Sequence, residues 1–297
     1  MARISWLIPV RDEPRLADAV ASVAAELGPD DEVIVVDDGS VTPVDAGALP
    51  VPTRALRVVR QGRLGIVAAL NAGLERARGT WIARMDADDL VLPGRIEAQV
   101  AAMTAGVVAV GGRVRTDAVG MAAYVAWVNA NDPMAERTVE SPLVHPASLL
   151  RASAVREVGG YRLAAAGAPH FPEDYDLFLR LADVGRLTRV DREVLYWRDG
   201  PGRLTRTDLR YSSPASVPLK RRWLAPRVAG RRAAVLGGAE GGWAEWLVEV
   251  GATPAALGQA DLALLAPMDA EERGRLRAVV QASRPDLREG EGVWAVG

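Results

Sequence analysis

The first hundred residues of the chain switch repeatedly between two hydrophobic periods, and this alternation constrains the fold more than any other feature. Ile4–Val10 is short, continuous and apolar, as a strand buried on both faces must be. Pro14 suits a first helical turn, and Leu16, Val20, Val23 and Leu27 follow at helical spacing. A second strand is expected over Glu32–Asp37, ended by Asp38-Gly39-Ser40, and a third over Leu56–Arg60. A helix from Leu64 to Arg78 carries Ile66, Leu70 and Leu74 on one face and stops at Gly79. A fourth strand spans Thr80–Met85, and another helix follows Pro93. Strands buried on both faces and joined through helices require a parallel sheet of right-handed βαβ units.

Beyond residue 107 the pattern is mixed. It predicts a strand over Val107–Arg115, a helix over Asp174–Ala182 with Leu177, Phe178 and Leu181 inward, and a late strand over Val190–Arg198. Residues 199–218 are rich in Gly, Pro, Ser and Arg and read as irregular. After Ala225-Pro226 a second, small α/β pattern begins. It has strands over Ala233–Leu236 and Leu262–Ala266, a helix around Trp243–Val250 and another over Ala270–Ala282. A length of 297 residues fits two domains at about 150 residues each, placed at 1–225 and 226–297. The second is small for a unit that folds alone. Trp223, Trp243, Trp246 and Trp294 are half of the chain's eight tryptophans. They predict that this tail docks on the rest of the chain or on a second copy, with a homodimer left open.

Composition removes several function classes. Thirty-six Lys+Arg against 38 Asp+Glu leave a net charge of −2, which does not suit a nucleic-acid binder built on a basic surface. Lys220 is the sole lysine, which is read as codon usage. With no cysteine, zinc–thiolate sites, iron–sulfur clusters and cysteine nucleophiles are excluded. His145 and His170 are the only histidines, so any metal should be a hard ion held by carboxylates. The Ile4–Val10 run is too short, and Arg11-Asp12-Glu13 too polar, for a signal peptide. No apolar run approaches the length of about 18 residues that spans a membrane. The expected setting is cytoplasmic, with peripheral contact at the inner face of the membrane left open.

The main chemical signal is Met85-Asp86-Ala87-Asp88-Asp89 at the end of the fourth strand. In an extended segment Asp86 and Asp88 point to the same side, and the carboxyl ends of parallel strands are where such sheets bind ligands. Two carboxylates there suit Mg2+ or Mn2+, with coordination left for water and phosphate oxygens. Taken alone, the motif reads equally as a solvated turn. Asp37-Asp38-Gly39-Ser40 ends the second strand at the same sheet edge, and the two acidic clusters repel unless a cation or hydrogen-bond donors intervene.

In these residues the chain resembles the family 2 glycosyltransferases, over roughly residues 3 to 211. The matching segments are Ile4–Glu13, Val36–Ser40, Gly65–Leu74, Ala83–Asp89 and Pro172–Leu177, in the family's order and spacing. The resemblance implies a GT-A nucleotide-diphospho-sugar transferase fold, with a mostly parallel central sheet flanked by helices. It implies inverting, metal-dependent transfer from a nucleoside-diphosphate sugar to a glycan or lipid-linked acceptor, in bacterial surface polysaccharide synthesis. Asp38 would contact base or ribose, Asp86 ribose or metal, and Asp88 the metal, with Pro9, Arg11, Glu13 and Arg63 also on the donor side. Asp174 would be the general base, with Glu173 and His145 toward the acceptor. His145 reads equally as a buried, hydrogen-bonded histidine, His170 as a surface-loop residue, and Glu173-Asp174 as acid at a helix N-terminus.

Two departures stand out. Arg198 and Arg203 replace the Arg-x-His element of many relatives, and Arg11 replaces an aromatic. The tail resembles a reduced Rossmann-like module, but Gly237–Gly242 lacks the glycine spacing of a dinucleotide loop, so no NAD binding is expected. Two other classes stay in view. One is a non-catalytic nucleotide-sugar-binding or regulatory protein on the same fold. The other is a nucleotidyltransferase, which would want a Gly/Arg/Lys-rich loop where Arg11-Asp12-Glu13-Pro14 stands.

Overall fold

A computed structural model describes residues 4–130, 132–134, 141–163, 171–200, 213–236, 242–265, 276, 279–290 and 293–296. The chain divides into two compact units. The first comprises Met1–Ala130, Leu143–Leu163 and Asp176–Pro201; the second comprises Asn131–Pro142, Ala164–Tyr175 and Gly202–Gly297.

The first unit is built on an eight-stranded sheet. Its elements are β1 (Ile4–Val10), α1 (Leu16–Ala24), β2 (Glu32–Asp38), β3 (Leu56–Gln61), α2 (Ile66–Arg76), β4 (Trp81–Arg84), β5 (Leu90–Val91), α3 (Arg95–Ala102) and β6 (Val107–Arg115). These are followed by α4 (Ala122–Ala130), β7 (Leu149–Arg151), α5 (Ala152–Glu157), α6 (Glu173–Val184) and β8 (Arg186–Tyr196). The strand order is β3-β2-β1-β4-β7-β6-β8-β5. β3, β2, β1 and β4 are mutually parallel, as the alternation requires. β7 runs antiparallel between β4 and β6, and β6 pairs parallel with β8. α6 starts in the second unit and continues into the first.

β1 and β2 are buried along their whole length. Ile4, Trp6 and Ile8 share a core with Leu16, Val20 and Val23 of α1. The opposite face of the sheet holds Leu7 and Val36 so close to α2 that a Cβ on Gly73 would meet Leu7 Cδ1 at 2.0 Å. Glycine is required there, since overpacking costs about 1–3 kcal/mol. Pro9 lacks an N–H, and it sits where β1 pairs only with β2, because pairing with β4 ends at Leu7.

The five-stranded sheet of the second unit follows α7 (Ser213–Val228). It is made of β9 (Arg232–Leu236), β10 (Thr253–Pro254), β11 (Leu262–Leu265), β12 (Leu287–Gly290) and β13 (Val293–Val296), with α8 (Trp243–Glu249). The order is β10-β9-β11-β13-β12, parallel through β10, β9 and β11 and antiparallel beyond. Trp243 and Trp246 are buried and meet edge to face at 5.4 Å.

Three expectations about elements need correction. α2 begins at Ile66 and ends at Arg76, because Ala77 is extended and leaves the helix before Gly79. From Ser213 onward the segment expected to be irregular is helix, and α7 continues through Ala225-Pro226 with Pro218 and Pro226 inside it. Propensity at two prolines is outweighed by the burial of Leu219, Trp223, Leu224 and Val228. β8 starts at Arg186, drawn in early by its pairing with Val107 of β6. His170, Arg203, the Gly237–Gly241 turn and most of Ala270–Ala282 lie outside the described residues.

Candidate active site

Every candidate donor-side residue of the first unit lies at the ends of β1 and β2 or on the loops that follow β1, β3, β4 and β8. Asp86, Asp88 and Asp89 come directly after β4. Each offers a carboxylate oxygen, and these oxygens lie within 4.8 Å of one another. Ala87–Asp88 is a turn rather than extended chain, so the carboxylates converge because the chain folds back, not through strand alternation. Asp89, buried at 1% exposure, is a third member that the sequence reading quoted but did not assign. A set of hard carboxylate oxygens of this kind fits Mg2+ or Mn2+.

This cluster is held from below and from both sides. Arg95 is fully buried and donates to the carbonyl of Arg84 at 2.9 Å, of Pro146 at 2.8 Å and of Ser148 at 3.1 Å. It ties the end of β4 to the segment before β7. The Arg84 guanidinium donates to Asp86 Oδ1. Arg198 donates its backbone N–H to Asp89 Oδ1 at 2.9 Å and its Nε–H to the Asp88 carbonyl. Burial, and then the charge of Asp86, push the Asp88 carboxyl up to about 6, against the pull of Arg15.

Arg15 approaches the cluster from the loop after β1. Its Nε and Nη2 grip both oxygens of Glu13 at 2.8 and 3.2 Å, and Nη2 stands 3.4 Å from Asp88 Oδ2. Nη1 donates to the Asp199 carbonyl at 3.3 Å. Burial pushes the Glu13 carboxyl up, but the hydrogen bonds and charge of Arg15 outweigh this and hold it below its ordinary value.

The acids that end β2 are treated differently. Asp38 accepts from Gln61 Nε2 at 2.8 Å, Leu64 N at 2.9 Å and Gly65 N at 3.0 Å, with Arg11 3.8 Å away. It thus closes the loop that enters α2. Arg63 reaches Asp12 at 3.0 Å. Asp12 has the left-handed φ of 50°, a conformation Asp tolerates better than most residues, and it accepts from Val41 N at 2.7 Å. The β1 and β2 loops are stitched together by these bonds.

His145 lies buried in a short 3₁₀ turn before β7. Its Nε2 is 2.9 Å from the Tyr161 hydroxyl, and its ring meets Phe178 edge-on at 6.0 Å. Burial, and then the Arg84 charge, hold its pKa well below the ordinary histidine value, so it is neutral at pH 7. Asn71 of α2 fixes Tyr161 in turn, donating to its carbonyl and accepting from its N–H, both at 2.9 Å. The Gly65–Leu74 motif therefore acts through a clamp that spacing alone does not reveal. Glu173 and Asp174 belong to the second unit. Glu173 is buried, and Asp174 is half-buried at the start of α6 with Oδ1 accepting from Tyr175 N at 2.8 Å.

Comparison with known proteins follows the same lines. The model of the glycosyl transferase family 2 matches residues 5–154. The chain is 28% identical over 210 residues to an uncharacterized glycosyltransferase of Haemophilus influenzae, covering 66% of this chain and 75% of that one. It is 32% identical over 165 residues to the amylovoran biosynthesis glycosyltransferase AmsE of Erwinia amylovora, covering 52% of this chain and 59% of that one. Two solved structures share the fold at 17% identity. S. aureus TarS 1–349 in complex with UDP-GlcNAc has a TM-score of 0.56, covering 82% of this chain and 71% of that one. The mannosyltransferase PcManGT from Pyrobaculum calidifontis in complex with GDP-Man and Mn2+ has a TM-score of 0.55, covering 96% and 81%. The chain belongs to the glycosyl transferase family 2 and has a GT-A fold, with its acid-bearing turns at the carboxyl edge of the parallel sheet.

Proposed function

We propose that the protein transfers a sugar from a nucleoside-diphosphate sugar to a glycan or lipid-linked acceptor, with inversion and with help from Mg2+ or Mn2+. The observation that carries this reading is the convergence of Asp86, Asp88 and Asp89 within 4.8 Å at the end of β4. A divalent ion held by Asp88 and Asp86 would neutralise charge growing on the leaving diphosphate. Arg198, whose backbone and Nε already brace Asp88 and Asp89, lies where a guanidinium can add to that neutralisation. Pro9, Arg11, Glu13, Asp38 and Arg63 form the donor side, with Asp38 toward base or ribose. The acceptor oxygen attacks the anomeric carbon as the bond to the diphosphate oxygen breaks, and the hydroxyl proton passes to the Asp174 carboxylate. Glu173 and His145 belong to the acceptor side; a neutral, Tyr161-bonded His145 serves as a wall rather than as an acid.

Relatives such as AmsE point to exopolysaccharide assembly, and the bound ligands of TarS and PcManGT point to a nucleotide-sugar donor. No helix among the described residues is long and apolar enough to cross a membrane; contact with a membrane-held acceptor at the inner face would be peripheral. The 226–297 segment is read as a small Rossmann-like module that takes no dinucleotide and supplies no catalytic group. The test is a thermal-shift titration with UDP, GDP and dTDP, with Mn2+ or with chelator. A shift that needs Mn2+ and disappears in Asp88→Asn is expected; an equal shift in chelator would remove the metal from the reading.

A further inference from the structure

We infer that Arg15 is a resident counter-cation of the Asp88 carboxylate, and that it exchanges this partner for the diphosphate of the donor when a divalent ion arrives. The inference rests on the metal-assisted reading of the site and goes beyond it in naming the group that holds the acids when no ion is bound. Three features of Arg15 carry it.

The first is the grip on Glu13. Nε at 2.8 Å and Nη2 at 3.2 Å fix the plane of the guanidinium with two bonds to one carboxylate. The side chain is therefore oriented before any ligand binds. The second is the reach of Nη2 to Asp88 Oδ2 at 3.4 Å. This is close enough for strong attraction and too long for a good hydrogen bond. A cation coordinated by Asp88 would repel the guanidinium at this distance and take over the carboxylate oxygen.

The third feature is where the guanidinium sits once Asp88 is taken. Nη1 donates to the Asp199 carbonyl at 3.3 Å, and a Cβ on Gly200 would lie 3.1 Å from Nη2. Arg15 is thus held between the loop after β1 and the loop after β8, and 30% of its side chain remains exposed. An anion beside the ion would meet the Nη2 N–H that Asp88 gives up, while Nε stays with Glu13 and Nη1 with the Asp199 carbonyl. Glu13 keeps the fork in place, so the exchange needs only the Nη2–Asp88 contact to open. No rotamer search across the pocket is required.

The arrangement makes two opposite demands on one side chain, and that is what allows a test. Without nucleotide, Arg15 competes with the ion for Asp88; with nucleotide, it assists the same ion. Mn2+ binding to the full chain is to be followed by electron paramagnetic resonance without nucleotide. Nucleotide binding is to be followed by calorimetry at saturating Mn2+, with whichever of UDP, GDP and dTDP shifts the wild-type melting most. For Arg15→Gln we expect Mn2+ to bind about threefold tighter, as removal of a part-exposed competing ion pair allows. The nucleoside diphosphate should bind about tenfold more weakly, the scale of one lost charge-assisted hydrogen bond. Arg15→Lys keeps a charge without the fork and should fall between on both axes.

If both affinities fall together, Arg15 is a structural brace and the inference is overturned. Unchanged Mn2+ affinity, or unchanged nucleotide affinity, overturns it equally. A wild-type chain that binds no Mn2+ defeats the metal-assisted reading itself, which is a different result from a wild type that binds it and a variant that does not respond.

Discussion

Two acidic segments stand at the carboxyl edge of the same parallel sheet, one ending β2 and one in the turn after β4, with β1 between them. In sequence they look alike: Asp37-Asp38-Gly39 against Asp86-Ala87-Asp88-Asp89. In the fold they are opposites. Asp37 is fully buried and takes bonds from Ser40 N at 2.8 Å, Val44 N at 3.2 Å and Arg60 at 2.6 Å. Burial pushes its carboxyl up, but the Ser40 and Val44 bonds and the Arg60 charge outweigh this and hold it below its ordinary value. Asp88 has burial, Asp86 and Glu13 against it and Arg15 and its own backbone N–H for it, and it is pushed up to about 6. At Asp37 the donors outweigh burial; at Asp88 burial and the neighbouring carboxylates outweigh Arg15. A carboxyl held down by its neighbours is settled as a loop brace, and one pushed up by burial beside like charge marks a candidate ligand site.

The strongest test of this division uses a residue outside both turns. If the β4 turn holds the metal and Asp37 only shapes its loop, neither of these supplies the proton acceptor, a task the proposed reading gives to Asp174. Asp174→Asn should lower turnover at least about a hundredfold, the lower end of what a positioned base contributes. Metal-dependent nucleotide affinity should stay within about twofold. Steady-state kinetics with a matched donor, alongside calorimetry, separate the two. Normal turnover in this variant would move the base elsewhere, with Glu173 and Asp176 next to be replaced.

The next test sets the two turns against each other on stability. Asp37→Ala leaves two backbone donors and Arg60 without their acceptor and should cost about 3 kcal/mol in urea unfolding of the chelated protein. Asp88→Asn removes a repelled charge and should leave that stability unchanged or raise it. A stable Asp37→Ala together with a weakened Asp88→Asn would invert the comparison and sink it.

How much of this was legible beforehand follows from what periodicity can encode. β1, β2, β6 and α1 were readable because burial on both faces, or on one helical face, writes itself into the pattern of apolar residues. The antiparallel insertion of β7 between β4 and β6 was not, since Leu149–Arg151 is too short for any period. α7 was hidden by Pro218 and Pro226, whose local penalty is overridden by tertiary burial. In the site, Asp86 and Asp88 were legible from spacing and from family likeness. Arg15, Arg84 and Arg95 were not, because 36 cations in the chain offer no sign of which one will sit under a carboxylate. The Asn71–Tyr161–His145 chain joins residues far apart in sequence, and only the folded chain makes it one feature.

The smallest expected effect is also the most direct reading of the two turns, because one titration moves them in opposite directions. Burial, and then the charge of Asp86, push the folded Asp88 carboxyl up to about 6, above its unfolded value of about 4. The folded state therefore binds a proton more readily there, and metal-free stability should rise as pH falls from 7 through 6. The Asp37 carboxyl is held below its ordinary value, so its contribution is present above about pH 4 and is lost as pH falls through the folded pKa. With 23% of the Asp88 side chain exposed, solvent screening limits the upper branch to on the order of 1 kcal/mol. Melting of the chelated protein from pH 7.5 to 3.5 should thus rise and then fall. The rise should vanish in Asp88→Asn, and the fall should flatten in Asp37→Asn, which is less stable throughout. If Asp88→Asn keeps the full rise, the group pushed up in the β4 turn is not Asp88, and the contrast between the two turns loses its electrostatic basis.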